Sequence, residues 1–263
     1  MREKTPRSFL TAEWRWLAML NYEVDPGVLR DLVPSETALD LWQGRALVSM
    51  VGFRFLKTRV LGLPIPFHRD FDEVNLRFYV VRETPEGVRR GVVFIKEIVP
   101  RAAIAWIARR AYDENYVALP MKHDIRFPAA EGVGHGSVLY EWRHEGRWNR
   151  LAATVDGEAA LPAENSEESF ITEHYWGYSA QKNSSTLEYR VEHPRWKVWQ
   201  TTEATLDCDV GRLYGPAFTE FLRKAPSSAF VAEGSEIAVR RGARSGPSRK
   251  LRARTRAGSA RRS

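Results

Sequence analysis

Phe71-Asp72-Glu73-Val74-Asn75-Leu76-Arg77-Phe78-Tyr79-Val80-Val81 is the stretch on which the fold turns. From Val74 onward its aromatic and β-branched residues alternate with polar ones well enough to predict a strand. Side chains on a strand point alternately to opposite faces, so positions 73, 75 and 77 share one side. That side carries a carboxylate, an amide and a guanidinium. Two accounts are open: mutual salt-bridging on a solvated face, or, if the strand is central and the sheet closes, a polar floor for a pocket inside a barrel.

Strand patterns dominate on either side. Thr84-Pro85-Glu86-Gly87 reads as a turn, and residues 92–99 as the partner strand, ended by Pro100. Upstream, residues 14–22 read as a first strand. Asp25-Pro26 then opens a short helix over 27–32, with Asp as the cap and Pro at the first helical position. Residues 38–42 and 45–55, joined by Gln43-Gly44, read as a hairpin. Downstream, 102–112 has helical spacing, and 136–143 with 148–155 flanks a turn at His144-Glu145-Gly146-Arg147. Short helices are expected at 167–173 and 216–222, and strands at 187–191, 198–206 and 229–239. The predicted fold is α+β and mostly antiparallel. A single domain is expected over residues 1–239, with no internal repeat or linker within 8–239.

The chain has 263 residues and 43% hydrophobic content, enough for a sizeable core, with nine Trp, nine Tyr and twelve Phe to pack sheets and line pockets. Its net charge of +7 suggests nucleic acid, but residues 240–263 hold ten Arg or Lys and no acid; removing those ten leaves the body at −3. A basic DNA-binding face would have to survive that subtraction. Residues 240–263 are expected to form a disordered basic tail, and nucleic acid is excluded as a partner except through it. The sole cysteine, Cys208, cannot form an internal disulfide, and neither a signal peptide nor a membrane-spanning run is apparent. Together these predict a cytoplasmic protein with no membrane partner.

Familiar chemistry is missing. There is no phosphate loop and no Gly-x-Ser-x-Gly elbow. Gly132-Val133-Gly134-His135-Gly136 lacks dinucleotide spacing. Cys208 lies between Asp207 and Asp209, which disfavour its thiolate. The six histidines have no metal-ligand spacing. No metal or cofactor is expected. What remains are three clusters: Glu73-Val74-Asn75-Leu76-Arg77; Glu173-His174-Tyr175-Trp176-Gly177-Tyr178; and His193-Pro194-Arg195-Trp196. The last two could equally be surface packing.

Together with Leu17-x-x-Leu20-Asn21-Tyr22 and Leu39-Asp40-Leu41-Trp42-Gln43-Gly44-Arg45-Ala46, these clusters resemble the uncharacterised bacterial YqjF-like family over about residues 8–239. That family is similar in fold to acetoacetate decarboxylase. The resemblance implies a curled, mainly antiparallel sheet forming a cone or partly open barrel around a pocket, with a few short helices. It matches Glu73 to the decarboxylase pocket glutamate. It sets Ala105 to Arg110, with Arg109, against a second motif, and Leu119-Pro120-Met121-Lys122 against the aromatic-Pro-Lys-Lys element. Met121 then stands where the imine-forming lysine belongs, and only Lys122 remains. In the decarboxylase, desolvation and a neighbouring cation activate that lysine. A methionine cannot form an imine, and a lone lysine keeps a near-normal pKa unless deeply buried.

The reading is a protein that binds a small polar or anionic metabolite, either with a lyase or isomerase step or by binding alone. Glu73, Lys122 and His193 are the candidate catalytic groups. Asn75, Arg77, Arg109, Glu173, Tyr175 and Trp196 are the candidate substrate-binding groups. Substrate and oligomeric state are not legible.

Overall fold

The structure, a computed structural model, describes residues 8–65, 69–100, 115–127, 134–181 and 184–245. The strands run in chain order as β1 (Leu10–Val24), β2 (Ala38–Leu39), β3 (Ala46–Val60), β4 (Leu63–Pro64), β5 (Phe71–Thr84), β6 (Gly87–Val99), β7 (Tyr116–Ala118) and β8 (Met121–Arg126). They continue as β9 (Gly136–His144), β10 (Arg147–Val155), β11 (Trp176–Ala180), β12 (Thr186–Glu192), β13 (Val198–Asp207), β14 (Ser228–Val239) and β15 (Ala243–Ser245). Among the described residues helices are few and short: α1 (Glu167–Thr172), α2 (Val210–Tyr214) and α3 (Thr219–Leu222), with 3-10 turns at Pro26–Leu32 and Pro216–Phe218. At Pro26–Leu32 the Asp25 side chain accepts from Gly27 N at 2.7 Å, the cap that the sequence predicts.

The sheet is mostly antiparallel and curls into a ring. Its path is β12-β11-β6-β5-β3-β1-β14, and a further β12–β14 pairing brings the ends together. Closure is irregular: β11 meets β6 in parallel over Trp176↔Gly91 and Gly177↔Val92, and β12 meets β14 over Val191↔Val239 and Glu192↔Ala238. The ring is therefore not a regular barrel. Bulges help the long strands coil. One lies in β1 between Arg15 and Ala18, where Trp16 takes φ 53°; another shifts the β5–β6 register between Leu76 and Arg77.

Alternation on these strands builds two cores. Leu17, Met19, Val51, Phe53, Phe55, Phe71 and Tyr79 pack in one buried cluster, inside the ring. Ala18, Leu20, Val48, Met50, Val74, Leu76 and Phe78 pack in the other, on its outer side. A second layer, β13-β10-β9-β8, covers that outer core with Val138, Tyr140, Trp142 and Leu151, and α2 and α3 complete it. The layers approach closely at Gly52, where a Cβ would stand 2.7 Å from Cδ2 of Tyr140. Strand β13 belongs to both layers, pairing β10 along one edge and β14 along the other.

The expected hairpin over 38–42 and 45–55 is corrected. Trp42 and Arg45 do form a tight two-way bridge, but β2 pairs with β5 (Ala38↔Val81, Leu39↔Val80) rather than with β3. Strand β8 has no counterpart among the sequence expectations. The helix expected at 102–112 lies outside the described residues. Order also continues past the expected boundary at 239: Arg240 Nη2 meets Glu192 Oε2 at 2.7 Å, and β15 pairs β12. Among the described residues no helix is long and apolar enough to cross a membrane.

Candidate functional site

The ring surrounds a part-open cavity of about 120 Å³. Its walls are largely apolar, with Leu17, Val51, Phe53, Phe71, Val92 and Phe94 among the lining residues. Strand alternation supplies the polar floor: Phe71, Glu73, Asn75 and Arg77 line the cavity, while Val74, Leu76 and Phe78 pack into the outer core. Glu97 of β6 joins them because the register sets it opposite Asn75. These groups are withdrawn from water: Glu73 is 2% exposed, Asn75 2%, Glu97 1% and Arg77 9%.

Asn75 Nδ2 donates to Glu73 Oε1 at 3.0 Å, and the Tyr116 hydroxyl approaches Glu73 Oε2 at 3.5 Å. An amide and a phenol thus orient this carboxylate. Among the described residues no ion pair joins it to Arg77, although the shared face suggests one. The Arg77 guanidinium instead makes long contacts: Nη2 is 3.4 Å from the Ile171 carbonyl oxygen and 3.8 Å from Met19 Sδ. Its Cζ stands 5.7 Å from the Tyr79 ring centroid. Its Nε, like Asn75 Oδ1, is buried without a hydrogen-bond partner among the described residues.

Two histidines share the cavity wall. His193 stacks on Trp196 with ring centroids 4.0 Å apart, and Trp196 is fixed by Nε1 donating to Ser235 Oγ at 2.8 Å. Nδ1 of His193 donates to the Pro194 carbonyl at 2.8 Å, which leaves Nε2 as the acceptor of a neutral ring. Burial pushes its pKa down from the ordinary 6.5 to about 4, with the nearby Arg77 charge acting in the same direction. His174 is buried at the end of a chain. Nδ1 meets the Phe170 carbonyl at 2.6 Å, Nε2 meets Asp40 Oδ2 at 3.0 Å, and Arg90 Nε donates to that same oxygen at 2.6 Å. Burial lowers the His174 pKa against the opposing pull of Asp40.

The depressed His193 value has a measurable consequence. The unfolded chain takes up this proton near pH 6.5 and the folded chain only near pH 4. The stability contributed by neutral His193 is therefore complete above about pH 6.5 and lost as the pH falls toward 4. His193→Gln should flatten that part of the acid limb, read by urea denaturation at pH 7 and pH 4.5. The His193 ring signal in NMR should titrate near pH 4.

Of the residues singled out in the sequence, Glu73, Asn75, Arg77, His193 and Trp196 line the cavity. Tyr175 stands behind His193, centroids 4.8 Å apart. Glu173 is turned outward, accepting from Ser169 Oγ at 2.8 Å and Arg195 Nε at 2.7 Å. Lys122 is not brought to the cavity. It sits on β8 of the outer layer, opposite Glu141, with which it pairs at 2.9 Å, and over the Trp148 ring. Met121, set at the imine position by the resemblance, packs against the outer core instead. Arg109 lies outside the described residues. Glu97, Tyr116 and His174 are site residues that the sequence does not single out. His174 at least belongs to one of the three clusters, whereas Glu97 needs a strand register that includes the bulge. Among the described residues no three His, Cys, Asp or Glu side chains converge as a metal site would require.

Known proteins share this architecture. The enduracididine biosynthesis enzyme MppR, in a structure complexed with pyruvate, matches with a TM-score of 0.64 at 14% identity, over 92% of this chain and 91% of its own. An acetoacetate decarboxylase-like enzyme from Sphingomonas wittichii RW1 matches with a TM-score of 0.63 at 12% identity, over 92% and 94%. Acetoacetate decarboxylase from Legionella pneumophila gives 0.61 at 12%, over 94% and 93%. At such identities the likeness is one of fold. The uncharacterized protein YqjF of Bacillus subtilis (strain 168) is 29% identical over 194 residues, 73% of this chain and 76% of that protein. Residues 11–236 match the model of DUF2071, described as an uncharacterized conserved protein, and the chain belongs to that family.

Proposed function

We propose that the ring cavity binds a small 2-oxo acid and that Glu73 moves a proton on it, a lyase- or isomerase-type step without an imine. One observation carries this reading: Arg77 is a buried cation with no carboxylate partner among the described residues. A buried charge lacking its counter-ion costs several kcal/mol, and a ligand carboxylate would supply that counter-ion. The cavity, about 120 Å³, is close to the roughly 150 Å³ that accommodates benzene in an engineered core, so the ligand has only a few heavy atoms. MppR, a fold neighbour, is described in complex with pyruvate, which fits that size and charge.

Glu73 has the surroundings of a base. Asn75 and Tyr116 orient it, and the walls around it are apolar. Imine chemistry has no support, because no lysine lines the cavity among the described residues. His193, neutral and with Nε2 as its acceptor, can receive a hydroxyl of the enol form. The test is exchange of the pyruvate methyl protons for deuterium in D2O, followed by NMR. The wild type should bind pyruvate and catalyse exchange. Glu73→Gln keeps the shape, so it should still bind while exchange falls by about 10²-fold or more. Undiminished exchange in Glu73→Gln would remove Glu73 from the chemistry, and no pyruvate binding by the wild type would remove the reading.

A further inference from the structure

Asp72 and Glu73 are neighbours on β5, yet they serve opposite sides of the sheet. Asp72, 6% exposed, faces away from the ring cavity and accepts from Arg54 Nε at 3.2 Å and from His123 Nδ1 at 2.9 Å. Arg54 belongs to β3 and His123 to β8, so this trio stands where the two layers meet. It borders a cleft of about 390 Å³ lined by Trp16, Arg54, His123, Asp124, Ile125 and Phe127. We propose that this cleft is a second ligand site, for an aromatic carboxylate.

The polar groups left over in the cleft define the chemistry. Asp72 occupies only Nε of Arg54, and among the described residues neither Nη nitrogen has a hydrogen-bond partner. Two forked donors remain, the arrangement that holds a carboxylate. Asp72 likewise holds His123 by Nδ1 and leaves Nε2 without a partner among the described residues. The cleft's other carboxylate, Asp124, is bound by Arg126 Nη2 at 2.6 Å and does not compete for Arg54. Two aromatic residues, Trp16 and Phe127, line the cleft beside these polar groups, with Phe127 backed by Trp199 at 4.8 Å between centroids, and offer a planar ring a face to lie on.

The backbone supplies an independent observation. Trp16 sits in the β1 bulge at φ 53°, a left-handed conformation that a bulky residue rarely adopts, and the Tyr140 hydroxyl fixes it there by donating to the Trp16 carbonyl at 2.9 Å. Bulges and over-determined strain concentrate where a side chain is aimed at a ligand. Trp16 of this bulge lines the cleft while also packing against the outer core. Asp72 is accounted for by the interlayer salt bridge; the two guanidinium nitrogens it leaves to solvent, beside Trp16 in the cleft, are the groups a ligand would engage.

Benzoate is the probe, and the His123 ring, isotopically labelled and observed by NMR, is the reporter. In the wild type the His123 signal should shift saturably with benzoate. Arg54→Gln should abolish the shift, and Arg77→Gln, in the ring cavity, should leave it intact, which separates this site from the 2-oxo acid site. Arg54→Lys retains the pair with Asp72 but loses the fork. It should bind about tenfold more weakly and keeps the test decisive if Arg54→Gln fails to fold. The proposal is overturned if benzoate leaves His123 unmoved in the wild type, if Arg54→Lys binds as tightly as the wild type, or if Arg77→Gln alone removes the shift.

Discussion

Replacing Arg77 with alanine is expected to weaken pyruvate binding by about 2–5 kcal/mol, the usual loss when one partner of a buried charge contact is removed. On the affinity scale this is roughly 30- to several-thousand-fold, read by titration calorimetry. Stability should move the other way, or not at all. Arg77 is 9% exposed, and its guanidinium contacts are a carbonyl at 3.4 Å, a thioether and a ring face. A cation held so loosely costs desolvation without a compensating ion pair. Arg77→Met fills the same space with apolar atoms and should match or exceed the wild-type melting temperature while losing the ligand. A collapse of the melting temperature in Arg77→Met would show that Arg77 serves the fold. Glu73 should remain oriented in either variant, because Asn75 rather than Arg77 holds it.

Gly234→Ala is expected to destabilise the fold by about 3 kcal/mol or more, among the largest single-residue effects. For a domain of this size that lowers the melting temperature by about 6–12 °C. Gly234 faces the β1 bulge, opposite Arg15, at φ 77°. An added Cβ would stand 1.9 Å from the Trp14 carbonyl oxygen, a backbone atom that cannot turn aside. Conformational strain and overlap therefore add. Gly62 is the control: its φ of 83° is similar, but nothing lies within 4 Å of an added Cβ. Gly62→Ala should cost only about 1 kcal/mol, the conformational part alone. Equal losses in the two variants, measured by thermal denaturation, would show that the close approach to β1 carries no weight.

The side chains on β5 are legible in the sequence because a period of two needs no tertiary information. Once the strand is granted, Glu73, Asn75 and Arg77 must share a face. Whether that face is wet or enclosed depends on sheet closure, and closure here rests on short pairings distant in sequence, such as Val191↔Val239. Glu97 is out of reach for a similar reason: the bulge between Leu76 and Arg77 decides which β6 residue stands opposite Asn75. Lys122 enters the candidate set by motif resemblance alone. Its actual position follows from β8 joining the outer layer, beside Glu141. The 38–42 segment shows local pattern yielding to tertiary pairing. Gln43-Gly44 does turn the chain, but the strand edge that β2 finds is β5.

The closure of the ring has a bearing on how the cavity exchanges its contents. The long ladders β1–β3 and β5–β6 run for most of their strands' lengths, whereas the two junctions that complete the circle span two residue pairs each. Both junctions touch the cavity lining, through Trp176, Gly177, Val92, Val191 and Val239. Parting either one sacrifices few backbone hydrogen bonds and leaves the long ladders intact, so these seams belong to the cheap end of the molecule's local opening spectrum. The wall around Glu73 and Arg77 is thus thinnest in backbone pairing at these two junctions. Transient parting of one seam would widen the way in and out for a small acid while the long ladders stay intact.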